Sequence, residues 1–154
     1  MSFLDSAREA EDRAAAFNNF LDRLPEDASR ITSVVSELFG IRDALRDLET
    51  CHRSIQYRRR FGFIPNDVEL VVRGSLRHTM RDISDFFTSL GADGNVRPPQ
   101  EAYRRIWREL WSFFLRQSGQ PLVSLLRLYR KMLEEMAMVV KGCVLHSSKQ
   151  DLRE

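Results

Sequence analysis

The stretch Ile31–Ile55, ITSVVSELFGIRDALRDLETCHRSI, decides the fold class. Ile31, Val34, Leu38, Ile41, Leu45, Leu48, His52 and Ile55 follow one another by steps of three and four without a break. That is the spacing of a helix with one continuous buried seam. Arg42, Asp43, Arg46, Asp47 and Glu49 fall between the seam positions and give the helix a charged outer face. Asp27 or Ser29 is placed to cap its start.

The same reading extends in both directions. A first helix is predicted from about Phe3 to Leu24, ending near Pro25. Its apolar residues are sparse at the start and dense at the end, so it is expected to pack only over its second half. After Pro65 a third helix is expected, with Asn66 as cap and Glu69 reaching back to it. Its buried face is Val68, Val72, Leu76, Met80, Ile83, Phe87 and Leu90, and Gly91 is placed to end it. The loop GADGNVRPP, residues 91–99, leads to a fourth helix from about Gln100 to Gln117. Tyr103, Ile106, Trp107, Leu110, Phe113 and Phe114 make its face broad and aromatic. Gly119 and Pro121 break the chain. A fifth helix then repeats the three-and-four pattern at Leu122, Leu125, Tyr129, Met132, Met136, Val139, Cys143 and His146, with fraying expected from Ser147 onward.

No strand alternation is present. Short connections between long helices favour antiparallel neighbours. The expected fold is therefore all-α: an up-and-down antiparallel bundle of four core helices with an additional N-terminal helix outside. It forms one domain over residues 1–154, its core spanning about 26–146, and reads as the N-terminal part of a longer protein.

The 154 residues suffice for one real core, and 43% of them are hydrophobic. Net charge is only +2, which argues against a nucleic-acid partner. Of the 24 basic residues, 21 are Arg, whose planar fork suits carboxylates, phosphates and aromatic faces. The start, MSFLDSAREAEDR, is charged and no signal peptide, and no apolar run is long enough to span a bilayer. Two cysteines are too few for a disulfide framework, so the expected compartment is the cytoplasm.

Cys51-His52 and Cys143-x-x-His146 are the natural zinc-ligand types. In an up-and-down bundle the second and fifth helices run oppositely, which places the two clusters at opposite ends. No metal and no cofactor are expected. The chain has no Walker loop, no G-x-S-x-G elbow and no H-E-x-x-H. The adjacent pair Glu134-Glu135 points about 100° apart around a helix and cannot serve one substrate. We expect no enzyme.

Basic stripes remain. Arg58, Arg59 and Arg60 follow the second helix in the stretch QYRRRFGFIPND. There they complement a negative helix end, and at least one exceeds what that end needs. Arg73, Arg77 and Arg81 line one face of the third helix at i, i+4, i+8. Glu69 and Asp85 stand four residues away as candidate ion-pair partners. The fourth helix adds Arg104, Arg105 and Arg108. If neighbouring helices bring these together, they form an anion or partner site. Trp107 and Trp111 are neighbours on the fourth helix, and Trp with Arg is the composition of interaction hot spots. Arg58, Arg59, Arg60, Arg73, Arg77, Arg81, Arg104, Arg108 and Trp111 are the candidate binding residues.

FGIRDALRDLE, RRRFGFIPNDVELVVRGSLRHTMRDISDFF and AYRRIWRELWSFFLRQSGQPLVSLLRLYRKMLEEM together resemble the N-terminal helical domain of large filamentous-fungal proteins. More remotely, the chain is similar to HeLo-type helical bundles of fungal signalling and cell-death proteins. The likeness covers about residues 26–142, lies in texture and arrangement, and carries over no functional residue. It implies a regulated module, in some cases acting on membranes. The charged segment Met1–Arg13 departs from a hydrophobic insertion sequence. The functional expectation is a non-enzymatic protein-interaction or scaffold module. Its alternative is a bundle that binds anionic lipid headgroups through Arg clusters. The heptad seams of the second and fifth helices also suit a homodimer.

Overall fold

The computed structural model describes residues 3–53, 70–91 and 99–151, except for the side chains of 91 and 143–151. The elements are α1 (Phe3–Leu21), a 3-10 turn (Pro25–Asp27), α2 (Ala28–His52), a π-helical stretch (Val71–Leu76) that runs directly into α3 (Arg77–Gly91), α4 (Gln100–Ser118) and α5 (Leu122–Asp151). Among the described residues there is no strand, and the all-α bundle expected from the sequence is what forms. Asp27 takes the N-cap position of α2, but its side chain makes no capping bond and lies 4.0 Å from Arg30 instead.

α2 is the central element. Its predicted seam is buried from Ile31 to Leu48, and Val35, Ala44 and Cys51 add a second buried row. Two rows are needed because α2 is covered on two sides, by α1 and by α5, its two most extensive interfaces. The placement of α1 outside the core is therefore corrected. Phe3, Ala7, Ala10, Ala14, Phe17 and Phe20 are all buried, so α1 packs along its whole length. Alanines contribute little area but let two helix axes approach closely. Glu11 bonds Arg46 at 3.0 Å and the Phe3 ring meets His52 edge-on, which fixes α1 antiparallel to α2.

Aromatic rings join α1 to α3 and α4. Phe17 meets Phe87 at 4.9 Å and Trp107 at 6.1 Å, while Phe20 meets Tyr103 at 5.1 Å. Edge-on pairs of this kind contribute roughly 0.5–1.5 kcal/mol beyond their buried area. α4 thus closes the end of the bundle where α1 turns into α2.

The alternation of directions does not extend to α5. Along α2, Glu26 just before it bonds Arg104, Arg30 stacks over Trp111, Glu37 bonds Arg127 and Arg130, and Asp47 bonds Lys141. Positions on α4 and then α5 rise together with positions on α2, so both run in its direction. The break at Gly119 shifts the chain sideways without reversing it. Gly119 adopts a left-handed φ of 71° and donates to the Leu115 carbonyl, a C-terminal cap that favours glycine. Short connections predicted a reversal here, and the local cap overrides that tendency.

The buried face of α5 is also rotated from the predicted seam. Leu122, Leu126, Tyr129, Leu133, Ala137 and Val140 are buried, while Leu128, Met132, Met138 and Val139 remain exposed. The backbone of α5 is helical through Asp151.

Candidate interaction face on α4

α4 presents two different sides. Ile106, Trp107, Leu110 and Phe114 are buried against the bundle. Opposite them, Arg108, Ser112 and Leu115 form an exposed ridge, with Leu115 45% accessible. The ridge separates two hollows.

Toward α2 lies a hollow of about 400 Å³ lined by Asp27, Arg30, Trp107, Arg108, Trp111 and Ser112. The Arg30 guanidinium lies 5.2 Å from the Trp111 ring centre, and Trp111 packs against Trp107 at 5.6 Å with the rings tilted by 38°. Arg30 thus has the Trp111 ring face on one side and the Asp27 carboxylate at 4.0 Å.

Toward α3 lies an open trough of about 710 Å³ lined by Phe86, Arg108, Glu109, Ser112, Phe113, Leu115 and Arg116. Phe86 and Phe113 meet edge-on in its lining, with ring centres 5.3 Å apart. Both are only partly buried, so apolar surface stays in contact with solvent.

The arginines of α4 differ in how they are satisfied. Arg104 is held by Glu26 at 3.0 Å and Glu101 at 2.6 Å. Glu26 sits below the ordinary carboxylate range, through a backbone hydrogen bond first and Arg104 second, with Arg108 adding a weaker pull. Among the described residues, Arg105, Arg108 and Arg116 have no carboxylate within ion-pair distance. Arg116 reaches only the Ser112 carbonyl of its own helix.

Of the residues singled out in the sequence, Arg108 and Trp111 therefore meet at one face, and Arg104 is tied down beside them. Arg77 and Arg81 do not join it. They stand nine and five residues from Phe86, about 180° and 140° around α3, and so face away from α4. Arg73 is exposed. Among the described residues Asp85 forms no ion pair with Arg81. Arg58, Arg59 and Arg60, and with them Glu69, lie outside the described residues. Arg30, Phe86, Leu115 and Arg116 were missed. The signal for Arg116 was present: it follows Arg108 by eight, the spacing noted for the arginines of α3.

No protein-family model, curated protein or solved structure matches this chain.

Other clusters offer less chemistry. Parallel α2 and α5 bring their C-terminal ends together, so the topological argument against a shared Cys/His site fails. The side chains of Cys143 and His146 lie outside the described residues, and no group of three or more metal-ligand side chains occurs within them. Cys51 is buried, and that burial pushes its thiol up, away from the reactive thiolate. A cavity of about 220 Å³ is lined by Ser75, His78, Thr79, Asp82 and Tyr129 among others. Its Ser, His and Asp are not linked as a nucleophile needs. His78 stands 3.7 Å from Asp82, beyond a hydrogen bond, and no bond joins it to Ser75. Thr79 and Tyr129 instead bond each other at 3.1 Å and join α3 to α5. Among the described residues no helix is long and apolar enough to cross a membrane.

Proposed function

We propose that this chain is a non-enzymatic protein-interaction module, a helical scaffold with regulatory use, and that α4 presents its binding face. One observation carries the reading. Arg108, Arg116, Trp111, Phe113 and Leu115 combine cations without ion-pair partners and solvent-facing aromatic surface around a single ridge. Trp and Arg of this kind are enriched where partners bind, and most of an interface's energy comes from a few such residues. The likeness to N-terminal helical domains of fungal proteins, and remotely to HeLo-type bundles, supports a regulated module.

A photo-crosslinking residue at exposed Ser112 tests the proposal. The expected result is a discrete protein adduct, absent when Arg108→Glu and Arg116→Glu are combined, with helical circular dichroism unchanged. Salt-sensitive sedimentation with anionic vesicles, lost in the same double variant and without a protein adduct, would favour the lipid-headgroup alternative.

A further inference from the structure

The trough between α3 and α4 has a direction as well as a composition. Its lining on α4 runs from Arg108 to Arg116, eight residues and about 12 Å along the axis. A guanidinium stands at each end, and Phe86, Phe113 and Leu115 lie between. Glu109 is the only carboxylate in the lining. Two cations two turns apart, with apolar surface between them, complement a helix that carries carboxylates two turns apart and apolar residues in the intervening turn. Laying an amphipathic helix into a groove is a recurrent mode of recognition.

We infer that the occupant of this trough is an acidic amphipathic helix of a partner protein, its carboxylates on Arg108 and Arg116 and its apolar residues against Phe86, Phe113 and Leu115. This rests on α4 being the binding face, and adds the partner's chemistry. A lipid surface fits less well. Phe86 and Phe113 are partly buried, and Leu115 is the one large apolar residue of the trough lining that is exposed, whereas an inserting face projects its apolar groups. The opposite charges also set specificity, because a basic helix would bring like charges together at both ends.

The probe is a short fluorescent helical peptide with two glutamates two turns apart and leucine and phenylalanine between them. Its controls are the same peptide with lysines for glutamates, one with serines for the apolar pair, and phosphatidylcholine vesicles with and without phosphatidylserine. The acidic peptide is expected to bind, and both peptide controls to bind at least about tenfold more weakly. Arg108→Glu/Arg116→Glu should weaken the acidic peptide by about a hundredfold and restore binding of the lysine peptide. Leu115→Asp, at an exposed site that does not threaten folding, should weaken the acidic peptide by about tenfold. Equal binding of acidic and basic peptides, or no effect of the charge reversal, overturns the inference while leaving a protein-binding face intact. Failure of the acidic peptide to bind also overturns it, and the Ser112 crosslink then decides the broader reading separately. Binding to phosphatidylserine vesicles alone overturns both.

Discussion

Gly40 sits in the middle of α2, where glycine ordinarily costs roughly 0.5–1 kcal/mol relative to alanine. Here the sign should reverse. A methyl group on Gly40 would overlap the Arg130 side chain, which Glu37 and Glu134 hold in place. Gly40→Ala is expected to destabilise by about 1–3 kcal/mol, as overpacking does. Adding Arg130→Ala should remove the penalty from Gly40→Ala, which a double-mutant cycle in urea would measure. A higher midpoint for Gly40→Ala alone would contradict the close approach. Glu37 itself is buried, yet it receives bonds from both Arg127 and Arg130. Burial pushes its carboxyl up, but the hydrogen bonds of Arg130 and Arg127 outweigh it and hold the group below the ordinary range. A carboxylate depressed on folding contributes stability above its unfolded pKa and loses it as pH falls through the folded value. Glu37→Gln should therefore cost about 1–3 kcal/mol at neutral pH and flatten the acid limb of the stability curve. Equal acid sensitivity in both proteins would rule this out. Ser6 is buried with a hydroxyl lacking a partner among the described residues. Ser6→Ala should be neutral or stabilising by up to about 1 kcal/mol in the same assay.

Among the elements, the α4–α5 junction concentrates the departure from sequence expectation. Gly119→Ala must hold a side chain at positive φ and should lower stability by about 1 kcal/mol, read as a drop in thermal midpoint. An unchanged midpoint would show that another conformation serves the junction equally well. The seam of α2 was legible because charged residues, Arg42, Asp43, Arg46 and Asp47, separate its apolar positions and leave the three-and-four spacing clear. The long packing face of α1 was not, because Ala7, Ala10 and Ala14 act through closeness, which hydrophobicity alone underrates. α5 was misread for a different reason. It is apolar over a wide arc, so two faces fit a heptad count. The choice between them is made by Tyr129 bonding Thr79 and by Arg127 and Arg130 reaching Glu37, partners remote in sequence. The binding face was half legible. Arg108 and Trp111 stood out locally, whereas Arg30 and Phe86 belong to it only because α2 and α3 flank α4.

In the whole molecule, α2 is gripped from both ends of the chain. Lys141 to Asp47 is half exposed on each side, so Lys141→Ala should cost no more than about 1 kcal/mol, and added salt should shrink that difference. The apolar row beneath it matters far more. A fragment ending at Ser118 lacks every partner that α5 gives to α2, and should bind a hydrophobic dye and unfold without a sharp transition. Cooperative unfolding of that fragment would mean that α5 is an appendage. The adjacency of α2 and α5 also has a temporal side. α2 leaves the ribosome before α5, and the helix that completes its cover arrives roughly 100 residues later, about 5–20 s at ordinary rates of synthesis. Through that interval one flank of the nascent chain stays uncovered, so the growing polypeptide should be a client of holding chaperones until α5 emerges.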